Sequence, residues 1–192
     1  MPNRREFLQM SLAASALPTL AAPASGSLRQ GGTLIHSVVF ESASPLGLAF
    51  GGEASRLGLH SHPIQDDVTD LWYHEWAPGW KQAPVVVAGV TLSTSFFCLE
   101  TLARDHRMRV CFKATHHRRQ DGRIEHLVSG PESLVRRTPD LAADWGREFA
   151  ALVAGLSEVE SGRHEKRVAG RWTTEQEPGP MVSWILAPRL RS

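Results

Sequence analysis

A group of hydroxyl side chains follows the most apolar segment of the chain. The run "VVVAGV" contains Gly89 near its end, and Thr91, Ser93, Thr94 and Ser95 come next. Hydroxyls at the start of a helix lie beside free backbone N–H groups, and such an N-terminus favours phosphate or carboxylate. Gly89 would let a ligand approach the backbone. We therefore expect a small anion here, although Ser and Thr are also ordinary helix N-caps that need no ligand.

Acidic residues follow the two preceding predicted strands. Glu41 lies at the end of the first, and Asp66, Asp67 and Thr69 lie at or just after the end of the second. Adjacent residues of a strand point to opposite faces, so at most one aspartate is expected to line a site. Its carboxylate could serve as general acid or base or bind a hard metal ion, or it could belong to an acidic turn before a helix. The predicted ligand-binding residues are Glu41, Asp66, Asp67, Thr69, Gly89, Thr91, Ser93, Thr94 and Ser95.

Nine histidines raise the question of a metal centre. His60 and His62 share one face of a predicted strand. In a predicted hairpin His117 faces His126, and two imidazoles at that separation could clamp a divalent ion, whereas His116 points to the opposite face. No compact H-E-x-x-H motif supplies the third ligand that a catalytic metal needs. We therefore predict no metal site, with His117 and His126 as the pair that would form one.

Motifs for common catalytic and nucleotide-binding sites are absent from the sequence. It contains no G-x-S-x-G, no G-x-G-x-x-G and no G-x-x-x-x-G-K-[ST]. The two cysteines, Cys98 and Cys111, are expected within a helix and a strand. An oxidising compartment would permit a disulfide between them, but neighbouring elements often point such side chains apart, so both states stay open. Catalytic residues and cofactors are left unassigned.

Hydrophobic patterns place these residues on strands and helices that alternate along the chain. Strands are predicted at 33–42, 60–68, 83–90, 108–118, 123–130 and 179–188, and helices at 44–59, 69–76, 91–107 and 139–156. Asp121-Gly122 predicts a two-residue hairpin turn, and 157–171 is expected to be a polar connection. Alternation favours parallel strands. The predicted fold class is α/β: a three-layer sandwich with a mainly parallel sheet, flavodoxin- or Rossmann-like in its first half, and an antiparallel edge hairpin.

Three tryptophans lie four residues apart in "WYHEWAPGW". Trp72 and Trp76 fall one turn apart in the predicted helix. Pro78 and Gly79 are expected to end that helix, so Trp80 is predicted to lie outside the stripe. The first two indoles are expected to form core or the wall of a pocket.

The N-terminus resembles a twin-arginine (Tat) signal peptide. The stretch "NRREFLQ" matches that family at Arg4, Arg5, Phe7 and Leu8, while the flanking Asn and Gln differ from its usual Ser/Thr and Lys. An Ala-rich apolar run and Ala22-Pro23-Ala24 follow, which predicts cleavage after Ala24. The expected organisation is a signal peptide at 1–24, a linker at 25–32 and a single α/β domain at 33–192. The run is short and Ala-rich for a membrane span, so no stable anchor is expected after cleavage, with an uncleaved anchor as the alternative.

The net charge and the expected export route limit the classes of function that this protein could have. The formal net charge of +1 falls to 0 without residues 1–24, which carry Arg4, Arg5 and Glu6, so electrostatic capture of nucleic acid is not expected. The Tat resemblance implies a periplasmic protein and a folded, often cofactor-containing cargo. We predict a non-catalytic protein that binds a small anionic ligand or assists an exported redox enzyme. The alternative is a periplasmic oxidoreductase-type enzyme whose metal or cofactor is held by histidines and by Asp66 or Asp67.

Overall fold

The computed structural model describes residues 34–119, 123–138, 144–170 and 177–189. These residues all belong to one unit that runs from Gly32 to Ser192. The predicted signal peptide, the linker and the Asp121-Gly122 turn lie outside the described residues.

Strands and helices alternate through the first two thirds of the described chain. The strands are β1 (Ile35–Glu41), β2 (Ser61–Ile64), β3 (Val86–Leu92), β4 (Met108–Arg118), β5 (Ile124–Gly130), β6 (His164–Gly170) and β7 (Met181–Pro188). The helices are α1 (Pro45–Arg56), α2 (Thr69–Leu71), a π-helical turn (Trp72–Trp76), α3 (Ala77–Gln82), α4 (Ser93–Asp105), α5 (Glu132–Arg137) and α6 (Trp145–Ala154).

The sheet has seven strands in the order β2-β1-β3-β7-β4-β5-β6. Strand β1 pairs in parallel with β2 and with β3, and the other pairings are antiparallel. The α/β class is confirmed, but the expected mainly parallel sheet is corrected to a mixed one. The reason is that β7 returns antiparallel between β3 and β4, a long-range pairing that the local pattern does not encode.

Strand β6 is an addition to the predicted elements. It lies within 157–171, where the sequence predicts a polar connection, and its first four residues are exposed. It pairs antiparallel with β5, and Val168 and Gly170 are buried. Charged residues are typical of edge strands, where they discourage pairing with other chains. Such a strand lacks the apolar alternation by which strands are recognised in sequence.

Apolar residues pack against both faces of the sheet. One hydrophobic cluster contains Phe50 of α1 and Phe149 of α6, and its strand members include Val38. The other contains Trp72, Trp76 and Trp80, Phe96 of α4 and the next residue of β1, Val39. Helices therefore cover the sheet on both sides, and consecutive residues of the central strands serve opposite cores.

The helical segment from Thr69 continues through Pro78, contrary to the prediction. Trp72, Trp76 and Trp80 are all buried, and the rings of Trp76 and Trp80 stack with centroids 5.1 Å apart. The π turn explains this alignment, because it is wider than an α turn of 3.6 residues and brings residues four apart closer to one line. Pro78 falls in the first turn of α3, where its missing N–H is tolerated. The three tryptophans thus form one stripe.

The two clearest amphipathic helices are confirmed. Helix α4 buries Phe96, Leu99 and Ala103, as its hydrophobic spacing predicts. Helix α6 buries Trp145 and Phe149 in the described part of the predicted helix 139–156. The two helices lie on opposite faces of the sheet.

Candidate functional site

Three parallel strands bring their carboxyl ends to one edge of the sheet. Strand β1 lies between β2 and β3. The chain therefore places β2 on one side of β1 and β3 on the other, so the strand order reverses at β1. Loops that follow such strands form the usual crevice for ligands in open α/β sheets. Here the structure brings together Glu41, Asp66, Thr94 and Ser95, four of the predicted residues.

Glu41 is a buried carboxylate at the end of β1. The residue is only 1 % exposed. Its Oε2 accepts a hydrogen bond from the backbone N–H of Asp66 at 3.1 Å, and its Oε1 accepts one from Ala43 at 3.4 Å. Buried carboxylates need such partners, because desolvation of an unpaired charge is costly. Glu41 therefore fixes the loop after β2 against the end of β1.

Asp66 occupies the position at which the sequence predicts an anionic ligand. Its φ of 55° is in the left-handed region, which Asp tolerates better than most residues. Its Oδ1 accepts hydrogen bonds from the hydroxyls of Thr94 at 3.0 Å and Ser95 at 3.3 Å. The start of α4 thus already faces a carboxylate of the chain itself.

The start of α1 is arranged in the same way. Ser44 is its N-cap and accepts a hydrogen bond from the backbone N–H of Gly47 at 3.0 Å. The Ser44 hydroxyl donates to Oε2 of Glu177, and the other oxygen of Glu177 accepts from the N–H of Leu46 at 3.1 Å. A second intramolecular carboxylate therefore stabilises the positive end of a helix.

Gly89 and Thr91 belong to the core, which corrects their predicted role in binding. Both lie within β3, and a Cβ on Gly89 would come within 2.4 Å of the indole of Trp184 and 2.7 Å of the Val39 carbonyl oxygen. Trp184 donates its indole N–H to the hydroxyl of Thr91 at 3.1 Å. The glycine is required by the packing of a tryptophan rather than by a ligand. Ser93 donates its backbone N–H to the carbonyl of Pro180 at 2.8 Å, which ties α4 to the segment before β7.

Asp67 and Thr69 line a cavity of about 370 Å³ together with Asp66, Thr94 and Ser95. Both are exposed, and Asp67 Oδ1 accepts the backbone N–H of Thr69 at 2.8 Å. Hydrogen bonding from the side chain of Thr69, and then from its backbone N–H, lowers the pKa of Asp67 from its ordinary value. The two aspartates have different hydrogen-bond partners, because Asp66 bonds to the hydroxyls of α4 while Asp67 bonds to Thr69.

A groove of about 710 Å³ lies beside β2 and the helical turn that follows it. Its lining residues are Ser42, His62, Pro63, Ile64, Gln65, Asp67, Asp70, Leu71, His74 and Glu75. Three of them are carboxylates, and within the described chain no Lys or Arg lines the groove. The surface is therefore acidic and offers carboxylate oxygens and imidazole nitrogens to a ligand.

His60, His62 and Glu75 lie together beside this groove. One potential donor atom from each residue lies within 4.8 Å of the other two, and His62 Nδ1 is 3.5 Å from a Glu75 oxygen. The His62 side chain is 12 % exposed and that of Glu75 is 51 % exposed. Burial lowers the pKa of His62, nearby His60 and His36 lower it further, and Glu75 opposes them. These three side chains could hold a metal ion.

The sequence revealed only part of this cluster. The shared face of His60 and His62 follows from strand periodicity. Glu75 could not be assigned to it, because its position depends on the π turn and on how the helical segment packs beside β2. No sequence pattern links Glu75 to the histidines.

The predicted pair His117 and His126 is wrong. In the structure His126 lies opposite His116, and His117 lies opposite Glu125. The backbone N–H of Arg119 bonds to the carbonyl of Arg123, so three residues rather than two separate these ends of the hairpin. That difference shifts the register by one residue and exchanges the two faces of one strand relative to the other. His117 is exposed and bonds to Thr115.

Comparison with known families, curated proteins and solved structures finds no match to this chain. Among the described residues, no helix is both long and apolar enough to cross a bilayer. Function must therefore be argued from the geometry of the sites.

Proposed function

We propose that the protein is an exported, non-catalytic binding protein whose acidic groove holds a small cationic ligand. The observation that carries this proposal is the charge of the groove, which has Asp67, Asp70 and Glu75 in its wall and no Lys or Arg among its described lining residues. Coulomb attraction in a groove lined by one sign of charge raises the local concentration of the opposite sign.

We propose a cationic ligand, whereas the sequence predicts an anionic one, and the difference has a physical reason. The N-termini of α1 and α4 would favour an anion, but each already faces a carboxylate, Glu177 and Asp66 respectively. A free phosphate would have to displace a tethered group and would meet nearby negative charge. A cation in the groove meets no such competition.

A non-catalytic role is supported by the burial of the most suggestive serine–histidine pair. Ser183 Oγ is 2.9 Å from His116 Nε2, a distance suited to an activated nucleophile. Ser183 is 0 % exposed and His116 is 6 % exposed, and the same hydroxyl accepts a hydrogen bond from Trp145. A substrate cannot reach this serine without opening the core, so we assign the pair to packing.

Thermal unfolding of the full chain with defined ions tests the ligand proposal. Putrescine and spermidine serve as cationic probes, and phosphate and citrate serve as anionic probes. We expect the cations to raise Tm in the wild type and to lose that effect in Asp67→Asn/Asp70→Asn. Glu148→Gln, a change at an exposed carboxylate of α6, is the matched control and should respond like the wild type. Stabilisation by phosphate that survives Asp67→Asn/Asp70→Asn would contradict the proposal.

Export by the twin-arginine route is the proposed path to the periplasm. Its support is the pair Arg4-Arg5 with Phe7 and Leu8 ahead of an Ala-rich run. Fractionation of cells that carry the wild-type chain or Arg4→Lys/Arg5→Lys tests this. The wild type should be found in the periplasm, and the variant should remain in the cytoplasm. Equal periplasmic amounts of both would argue against the route.

A partner role in assisting an exported redox enzyme is the second candidate. The observation in its favour is that Tyr73 is 66 % and Phe97 is 68 % exposed, which is high for large apolar side chains. Crosslinking in the periplasm, followed by purification of the wild type and of Tyr73→Ala/Phe97→Ala, tests it. Recovery of an exported oxidoreductase with the wild type alone is expected, and equal recovery with the variant would oppose it.

For the fold, we propose that β1 to β3 and their connections form a flavodoxin- or Rossmann-like half within a three-layer sandwich. The strand order β2-β1-β3 is that of a doubly wound sheet around its switch point. Helix α1 contributes to one core and the helices before β3 to the other, as right-handed crossovers in opposite directions require. An experimental structure with left-handed β1-α1-β2 or β2-α3-β3 crossovers would overturn this.

A further inference from the structure

We propose that His60, His62 and Glu75 form a binding site for one divalent transition-metal ion at the β2 end of the acidic groove. The inference deepens the proposed function and rests on it, since it names the class of cation that the groove accepts. It concerns different side chains from Asp67 and Asp70, so the two proposals can be separated by mutation.

The donor atoms have the spacing that a small ion requires. Zinc bonds to imidazole nitrogen and carboxylate oxygen at about 2.0–2.2 Å, so ligands of a tetrahedral site lie about 3.3 Å apart. His62 Nδ1 and Glu75 Oε2 are 3.5 Å apart, close to that value. One donor atom from each of the three residues lies within 4.8 Å of the other two, a range that small side-chain rotations can close.

The two histidines are held in place by the sheet. The carbonyl of His60 accepts the N–H of Val38 at 2.8 Å, and His62 lies in register with Val39 of β1. Residues two apart on a strand share a face, and the two rings meet edge to face with centroids 4.4 Å apart. Two imidazoles on one strand face therefore need little reorganisation to bind one ion.

The third ligand comes from the π-helical turn. Glu75 belongs to the segment Trp72–Trp76, whose tryptophans are buried against the sheet. The buried rings hold the turn, while Glu75 on the exposed side reaches back toward His62. Single π turns in helices occur often at functional sites, because the extra residue redirects a side chain.

The donor set selects the class of metal. Two imidazoles and one carboxylate suit Zn²⁺, Co²⁺, Ni²⁺ or Cu²⁺, whereas Mg²⁺ and Ca²⁺ prefer oxygen ligands alone. The site is open toward the groove, since His62 and Glu75 line both. Three protein ligands would leave one position of a tetrahedral ion open to water or a small ligand, whereas closed structural sites have four protein ligands.

Metal titration of the full chain tests the proposal. The protein is stripped with a chelator and titrated with Zn²⁺ by calorimetry and with Co²⁺ by visible absorption. One ion per chain is expected for the wild type. His60→Ala, His62→Asn and Glu75→Gln should each weaken binding at least about a hundredfold, since loss of a supporting residue around a site alone costs about 10–100-fold. His60 and Glu75 are exposed, so their variants should keep the wild-type circular dichroism and Tm.

His117→Ala is the matched control, because His117 is an exposed strand histidine on a different strand. It should bind the metal as the wild type does. The proposal is overturned if binding is not saturable, or if His60→Ala/Glu75→Gln binds as tightly as His117→Ala.

The same experiments separate this inference from the proposed function. If putrescine stabilises the chain in an Asp67- and Asp70-dependent way while Zn²⁺ and Co²⁺ do not bind, the metal site is overturned and the groove proposal stands. If Zn²⁺ binds through the histidines while organic cations have no effect, the metal site is supported and organic ligands are ruled out. If neither class binds, both proposals fail.

Discussion

His116 and His126 face each other across β4 and β5 with their Nδ1 atoms 2.6 Å apart. Such a contact requires one ring to donate an N–H and the other to accept it, so the accepting ring is neutral. His116 Nε2 also bonds to Ser183, and the His126 ring stacks on Trp145 with centroids 4.2 Å apart. Burial lowers the pKa of His126 to about 4 and, with the charges of His126 and His117, places the pKa of His116 well below its ordinary value.

This pair predicts that stability falls in mild acid. In the unfolded chain a histidine protonates near pH 6.5, while native His126 stays neutral to about pH 4. Between these values the unfolded state binds more protons, so the free energy of unfolding decreases as pH falls. The expected slope is about 1.4 kcal/mol per pH unit for each histidine, with no contribution from the pair above about pH 7. Urea unfolding from pH 8 to pH 5 measures it.

His126→Gln provides the comparison for the pH experiment. It should reduce the slope of unfolding free energy against pH by about 1.4 kcal/mol per pH unit, because a neutral amide replaces one titrating ring. His117→Gln, at an exposed position, should leave the slope near that of the wild type. A wild-type stability that is flat from pH 8 to pH 5 would contradict the neutral buried pair.

Gly89→Ala should destabilise the protein. Its new methyl group would come within 2.4 Å of the Trp184 ring in the middle of the sheet, and overpacking of this kind costs about 1–3 kcal/mol or more. Gly52→Ala is the matched control in α1, where a Cβ meets no atom within 4 Å and should stabilise the helix by about 0.5–1 kcal/mol. Chemical denaturation measures both changes, and equal stability of the two variants would refute the packing argument.

Thr91→Val should change stability without changing ligand binding. It leaves the buried indole N–H of Trp184 without its acceptor, which costs about 1–3 kcal/mol. The response of Tm to putrescine should remain as large as in the wild type, since Thr91 is 0 % exposed. Loss of that response in a folded Thr91→Val protein would restore a binding role for this residue.

Ser44→Ala should weaken α1 more than Ser93→Ala weakens α4. Ser44 caps its helix by accepting from Gly47 and also bonds to Glu177, and loss of an N-cap costs about 0.5–2 kcal/mol. No side-chain cap bond is found at the described start of α4, so Ser93→Ala should stay within about 0.5 kcal/mol of the wild type. Thermal and urea unfolding compare the two, and a larger loss for Ser93→Ala would contradict the capping assignment.

The two cysteines should react as separate thiols. Cys98 is exposed, Cys111 is buried, and both are free. Burial raises the pKa of the Cys111 thiol, which lowers its thiolate fraction at neutral pH. An aromatic disulfide reagent should therefore modify one thiol quickly in the native protein and a second only after denaturation. Absence of any reactive thiol before reduction would indicate a disulfide instead.

Local patterns were sufficient for most elements and for one part of the site. The strand at β3 and helices α4 and α6 follow from apolar runs and from 3.6-residue spacing, which reflect local burial. Glu41, Asp66, Thr94 and Ser95 were predicted together because parallel strands deliver their following loops to one edge. The local pattern does not show which groups these side chains contact. In the structure, the Thr94 hydroxyl of α4 donates a hydrogen bond to Asp66.

Apart from β6, which lacks apolar alternation, the failed predictions concern turns and contacts between elements. The sequence predicts His117 opposite His126, but the hairpin connection is one residue longer, and His116 takes that place. The π turn moved Trp80 into line with Trp72 and Trp76, although Pro78 predicted a break. Gly89 looked like a site of ligand approach because the sequence does not reveal that Trp184, ninety-five positions later, fills the space above it.

The sequence by itself determined which segments are buried, the alternation of strands and helices, and the net charge, because these depend on residue type and short-range periodicity. The tertiary structure decided the mixed order of the sheet, the register of the histidines and the association of Glu75 with His60 and His62. Those features depend on which strand pairs with which and on how a helical turn packs beside an edge strand. Such long-range choices are set by the whole core, so no local stretch of residues specifies them.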